Sequence, residues 1–263
     1  MATASEWLVL ERSRSGAVWL VGAALGAAVG FSQYWPAVLA CVAVVGSCLA
    51  LRDGRRLYLP LFLVVASVLL RLPWPFPATL AILALALVRS LAGPRRSAGL
   101  DGGLWRPKWD RTSALLIALT ATVVGAICAV IAPLALAGNY MYVDSPAPPW
   151  WQIAALVALF AIVNAATEEI VWRGILWSSA AKAGLRPVCV VVLTSASFGL
   201  SHLHGLPGGW GGIVVATVFG AALGWLRHRT SSLLAPFVVH LVADLVLFSS
   251  YASFLVFRRG PGC

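Results

Sequence analysis

The sequence predicts an all-α fold, a polytopic transmembrane helical bundle of about nine spans, eight to ten allowing for short runs. Three observations predict it. Hydrophobic residues make up 60% of the 263-residue chain and charged residues 11%, where soluble domains carry roughly 25% charged residues. The apolar residues gather into long runs separated by short breaks. The cations sit in those breaks, and alternate breaks hold most of them. A soluble fold of this length would need far more polar surface to cover its core. The net charge of +10 does not point to nucleic acid, because the cations are spread among the breaks rather than collected on one face.

In chain order the runs are 16–31, 36–51, 57–70, 72–88, 113–136, 154–183, 188–203, 212–226 and 231–257. Several early ones are shorter than the roughly 17 to 25 residues of a span, which is why the count is a range. With the N-terminus in the cytoplasm, the inside breaks hold Arg12 and Arg14, then Arg52, Arg55 and Arg56, then Arg89, Arg95, Arg96, Arg106, Lys108 and Arg111. Further inside breaks hold Lys182 with Arg186, and Arg227 with Arg229. The outside breaks before the last run hold only Arg71. This alternation follows the positive-inside rule and sets the orientation; the expected location is a cell inner or plasma membrane. The first fifteen residues include Glu6 and Glu11, unlike the basic start of a cleaved signal, so the first run reads as a retained anchor.

The main boundary is 92–111, rich in Gly, Pro, Arg and Trp and suited to a cytoplasmic loop on anionic headgroups. It divides the chain into N-terminal spans with a basic loop (1–112) and a membrane-embedded core (113–263). The outer loop 138–151 carries Tyr140, Tyr142, Trp150 and Trp151, which suit an interfacial belt. The five cysteines form no CxxC pair, sit mostly in apolar runs and read as small packing residues. No acidic residue falls inside any of the first five runs.

Three of the last four differ. A charged side chain in mid-membrane costs about 2.5 to 3.5 kcal/mol even on the lenient insertion scale, yet the run 154–183 accepts Glu168, Glu169 and Arg173 together. Glu169 and Arg173 are four apart and share a helix face, so an ion pair accounts for both. It does not account for Glu168, which at 3.6 residues per turn points about 100° away and is free to face a cavity. His202 lies in the next run. Glu168 and His202 are equally far in sequence from Leu185, in a turn marked by Lys182, Gly184, Arg186 and Pro187. An antiparallel hairpin would put both at similar depth, about 25 Å from the turn. His204 and His228 fall in breaks and read as solvated. His240 and Asp244, four apart in the final run, share a face and can partner one another. Convergence on one interior site is the economical account. Only thirteen residues separate Asp244 from Arg258, so a terminal helix is either truncated or merged with the run before it.

At these positions the chain resembles the CPBP family of intramembrane peptidases, also called the CAAX-processing or Abi family. The family pattern is EExxxR, FxxxH and Hxxx followed by Asn or Asp on successive spans. Here it reads Glu168-Glu169-Ile-Val-Trp-Arg173, Phe198-Gly-Leu-Ser-His202 and His240-Leu-Val-Ala-Asp244, all within 154–244. The resemblance implies a catalytic set of Glu168, Glu169, Arg173, His202, His240 and Asp244. Glu168 matches the base that activates water, with His202 helping to hold it. His240 and Asp244 match a pair that stabilises the oxyanion, and Glu169 with Arg173 match a supporting ion pair. Asp244 departs from the Asn of many members. Ionised, it cannot donate to an oxyanion and can instead orient His240.

The implied activity is endopeptidase cleavage near the C-terminus of a membrane-associated or lipidated protein or peptide, with the bilayer as the other partner and no nucleic acid. The oligomeric state is not legible. No cofactor is expected; zinc is the alternative, since two His and a Glu would suit it, although no HExxH is present. Two other functions stay open. A proton-coupled transporter would use buried Glu and His, but the acidic groups are not repeated in two halves. A non-catalytic scaffold would not need every motif residue kept.

Overall fold

The computed structural model describes residues 110–136 and 148–257. Among them there is no strand, and five helical stretches are long and apolar enough to cross a membrane. They correspond to the last five runs. The first four, with the loop 92–109 and residues 137–147, lie outside the described residues. The protein is an integral membrane protein, with α1 (Arg111–Leu136), α2 (Trp150–Glu168), α3 (Trp177–Lys182), α4 (Pro187–Ser201), α5 (Gly209–Thr230) and α6 (Leu234–Phe257).

Each boundary has a local cause. Asp110 starts α1 by accepting a hydrogen bond from the Ser113 amide at 2.6 Å, satisfying one of the orphan N–H groups of the first turn. Hydrogen bonding to the Ser113 side chain, and then to its amide, holds the Asp110 carboxyl below its ordinary range, with a smaller contribution from Arg229. The start of α1 and the end of α5 are therefore neighbours, and basic residues collect at that end. Between α3 and α4, Leu185 N–H donates to the Ala180 carbonyl and Gly184 N–H to Ala181, with Gly184 at φ +84°. This is a Schellman stop, and Pro187 then opens α4 at a position where a missing N–H costs nothing. Trp150 and Trp151, at the head of α2, are exposed as interfacial aromatics should be.

The last helix is the hub. It packs against α1, α2 and α5, while α4 packs chiefly along α5. Phe160 on α2 meets Phe248 on α6 edge to face at 4.7 Å. Close approach of α4 and α5 depends on Gly199, where a Cβ would collide with the Thr217 hydroxyl and the Ile213 carbonyl. Beyond Asp244 the helix runs unbroken to Phe257, so the terminal stretch is merged with the run that carries the motif.

Candidate active site

Two sequence expectations about local geometry are corrected where α2 ends. Residues Glu169–Leu176 form a π-helical segment that continues α2 into α3, so the EExxxR motif does not sit on a regular α-helix. Nothing local in that stretch signals the wider turn. Its tertiary partners supply the reason, and π segments recur at functional sites. The wider turn keeps residues four apart together: Arg173 Nη1 donates to Glu169 Oε1 at 2.9 Å, with both side chains fully buried. Arg173 Nη2 also donates to the Gly220 carbonyl on α5 at 3.1 Å. The second correction concerns Arg227, expected in a cytoplasmic break. It lies inside α5, buried, with Nε 3.4 Å from the Arg173 carbonyl and its guanidinium over the Trp177 ring. A cation from the neighbouring helix thus serves a carbonyl of the π segment.

His240 sits among three carboxyls. Its Nδ1 is 2.7 Å from Glu169 Oε1, and its Nε2 is 3.3 Å from Glu168 Oε2 and 3.7 Å from Asp244 Oδ1. Glu169 Oε1 therefore serves His240 and Arg173 at once, tying α6 to the π segment, while Glu169 Oε2 and Arg173 Nε have no hydrogen-bond partner among the described residues. Asp244 does lie on the His240 face, as four-residue spacing requires. Its closer partner is Asn164 on α2, whose Nδ2 donates to Asp244 Oδ2 at 3.0 Å.

His202 stands at the end of α4, where the helix tightens into a 3-10 turn (His202–His204), rather than in mid-helix. Its Nδ1 lies 2.9 Å from the Phe198 carbonyl, a pure acceptor, so Nδ1 carries the proton and the lone pair is on Nε2. Phe198 is the platform under the site. Its ring lies 4.6 Å from the His202 ring, 5.8 Å from the His240 ring and 4.6 Å from the Arg173 guanidinium carbon. That explains an aromatic residue four before the histidine: one ring fixes the position of three polar groups.

Glu168 and His202 line one cavity of about 850 Å³, together with Asn164, His240 and Asp244. Glu168 and His202, expected at similar depth on an antiparallel hairpin, thus both reach this cavity. The remaining wall is mostly apolar, with residues such as Val123, Ile127, Val218 and Leu247. His204, read as solvated, is exposed and also lines this cavity. Five of the six candidate residues, Glu168, Glu169, Arg173, His240 and Asp244, are buried, and His202 is partly so. Sequence reading passed over Asn164. A signal was there: an amide in an apolar run, four residues before Glu168 and so on its face. Trp172, whose Nε1 donates to Ser197 Oγ at 3.1 Å, is a second side chain that ties the π segment to α4. Among the described residues no group of three or more His, Cys, Asp and Glu is placed to hold a metal ion.

The stretch 149–246, from the head of α2 into α6, matches the family model described as Type II CAAX prenyl endopeptidase Rce1-like. This agrees with the resemblance carried by the three motifs. No curated protein and no solved structure matches the chain.

Proposed function

We propose that the Rce1-like segment makes this chain an intramembrane endopeptidase that hydrolyses a peptide bond near the C-terminus of a membrane-associated or lipidated protein or peptide. One observation carries the reading. Glu168, a buried carboxylate on a membrane-spanning helix, faces a largely apolar cavity that imidazoles from two other elements also reach.

In the proposed reaction Glu168 takes a proton from water as the water oxygen attacks the scissile carbonyl. The lone pair on His202 Nε2 accepts the second O–H of that water and orients it. Negative charge develops on the carbonyl oxygen, and the His240 Nε2–H, which faces Glu168 Oε2 at 3.3 Å before reaction, turns to stabilise it as Glu168 takes up the proton; an oxyanion donor is worth about 3 kcal/mol. Glu168 then passes its proton to the amide nitrogen, the C–N bond breaks, and a carboxylic acid and an amine leave. Glu169 and Arg173 hold His240 from behind, because Glu169 Oε1 accepts from both. No metal is required in this scheme. Both nitrogens of His240 face carboxylate oxygens, an environment that suits a ring donating from both sides and not one offering a lone pair to zinc. The N-terminus is assigned to the cytoplasm of an inner or plasma membrane, on the distribution of Lys and Arg.

The test is a comparison of C-termini across the membrane proteome of cells carrying wild-type protein or Glu168→Gln. Termini present with the wild type and absent with the variant are expected. Identical sets of termini would remove the peptidase reading.

A further inference from the structure

We propose that Asn164 is a positioning residue for the hydrolysis, fixing which oxygen of Asp244 meets His240, and that Asn164 and Asp244 work as an exchangeable pair. This rests on the peptidase reading above. The two helices that carry the site are joined by polar contacts one helical turn apart. Glu168 Oε2 meets His240 Nε2 at 3.3 Å, and four residues earlier on α2 and four later on α6, Asn164 Nδ2 meets Asp244 Oδ2 at 3.0 Å. Both members of the second contact are buried and line the cavity.

The charge count explains why an amide stands there. Three carboxyls, Glu168, Glu169 and Asp244, surround one imidazole and one guanidinium. Fully ionised, they exceed those cations by one even with His240 protonated, inside a bilayer where an uncompensated charge is expensive. A second cation beside Asp244 would compete with His240 for it. A neutral amide donates to the carboxyl without competing, and hydrogen bonds to charged groups are the stronger kind. The donation makes the two oxygens of Asp244 unequal. Because Oδ2 accepts from Asn164, Oδ1 is the oxygen left to face His240 Nε2, at 3.7 Å. Without the amide the carboxyl can turn about its own axis and His240 loses a fixed neighbour. The competing account is a simple bond between helices, for which membrane proteins pay and gain little. That account predicts lost stability and unchanged turnover.

The experiment uses full-length variants in membranes. It reads the initial rate at which C-termini abolished by Glu168→Gln are produced, and the amount of folded protein extracted in detergent. Asn164→Leu should cut the rate about 10- to 100-fold, the worth of one hydrogen bond to a charged group, with folded protein within about twofold of wild type. Asn164→Asp sets two carboxyls face to face and should fall at least as far. Adding Asp244→Asn to Asn164→Asp exchanges the partners, and should raise the rate at least about tenfold over Asn164→Asp alone. This reciprocal comparison decides the matter even if Asn164→Leu does not fold. A rate for Asn164→Leu within about threefold of wild type, or an exchange no faster than Asn164→Asp, overturns the positioning role while Glu168-dependent cleavage stands. Absence of any Glu168-dependent terminus overturns the peptidase reading itself.

Discussion

At the scale of single residues, the site is a set of acids and bases that occupy one another. Glu169 Oε1 is bound by both Arg173 and His240, so Arg173→Ala leaves a fully buried carboxylate without its permanent cation and with His240 as its remaining partner. Breaking such a pair costs about 3 to 5 kcal/mol, and the variant should show a lower thermal midpoint and less folded protein as well as lost cleavage. Glu168→Gln and His202→Ala should behave differently. Each deletes a working group without adding charge to the bilayer, so expression and insertion should stay near wild type while cleavage disappears. The double variant should be no worse than either single, because groups acting as one unit are not additive. Modest, additive losses in the rate assay would instead mean independent packing roles, and the peptidase reading would be abandoned. Most of this was legible from residue types: acids and histidines in apolar runs must find partners. Which partner each finds was not. Four-residue spacing joined Asp244 to His240, yet the shorter contact is to Asn164, eighty positions away in sequence.

At the scale of elements, the geometry depends on how closely α4, α5 and the π segment approach. Gly199 and Gly220 permit it. A Cβ on Gly220 would lie 3.2 Å from Arg173 Nη2 and from the Phe198 ring, against which the guanidinium rests. Gly199→Ala should force α4 from α5 and cost about 1 to 3 kcal/mol, the usual range for overpacking. Because Phe198 and His202 ride on the same helix end, cleavage should fall together with the thermal midpoint. Gly211→Ala, which meets nothing within 4 Å, is the control and should leave the midpoint unmoved. Equal midpoints for the two variants would show that the α4–α5 approach is not tight. Helix positions were predictable from apolar runs, and the Gly184–Pro187 stop from turn chemistry. The π segment was not, since a run of apolar residues suits an α or a π turn equally well.

At the scale of the whole molecule, the site opens into an apolar cavity in a protein whose helices span the membrane. Reporter fusions after Arg96 and Arg186 should read as cytoplasmic, and fusions at Asp144 and Gly208 as external. Opposite readings at Asp144 and Arg186 would overturn the span assignment. Purified protein should hold no stoichiometric zinc, and cleavage should survive prolonged chelation. Metal lost together with activity, and zinc restoring both, would move the reaction to the metal-assisted class.

The sequence by itself determined that this is a helical membrane protein, that its intramembrane acids and histidines fall in three of the last four apolar runs, and which six polar side chains converge. Those conclusions follow from transfer free energy, which depends on residue type and apolar length and needs no knowledge of neighbours. Tertiary structure alone decided that EExxxR sits on a π segment, that Arg227 is turned inward to its backbone, and that Asn164 completes the cluster through Asp244. Each of these is a contact between helices, and the energy of a buried polar group is set by the partner that satisfies it rather than by its place in the chain.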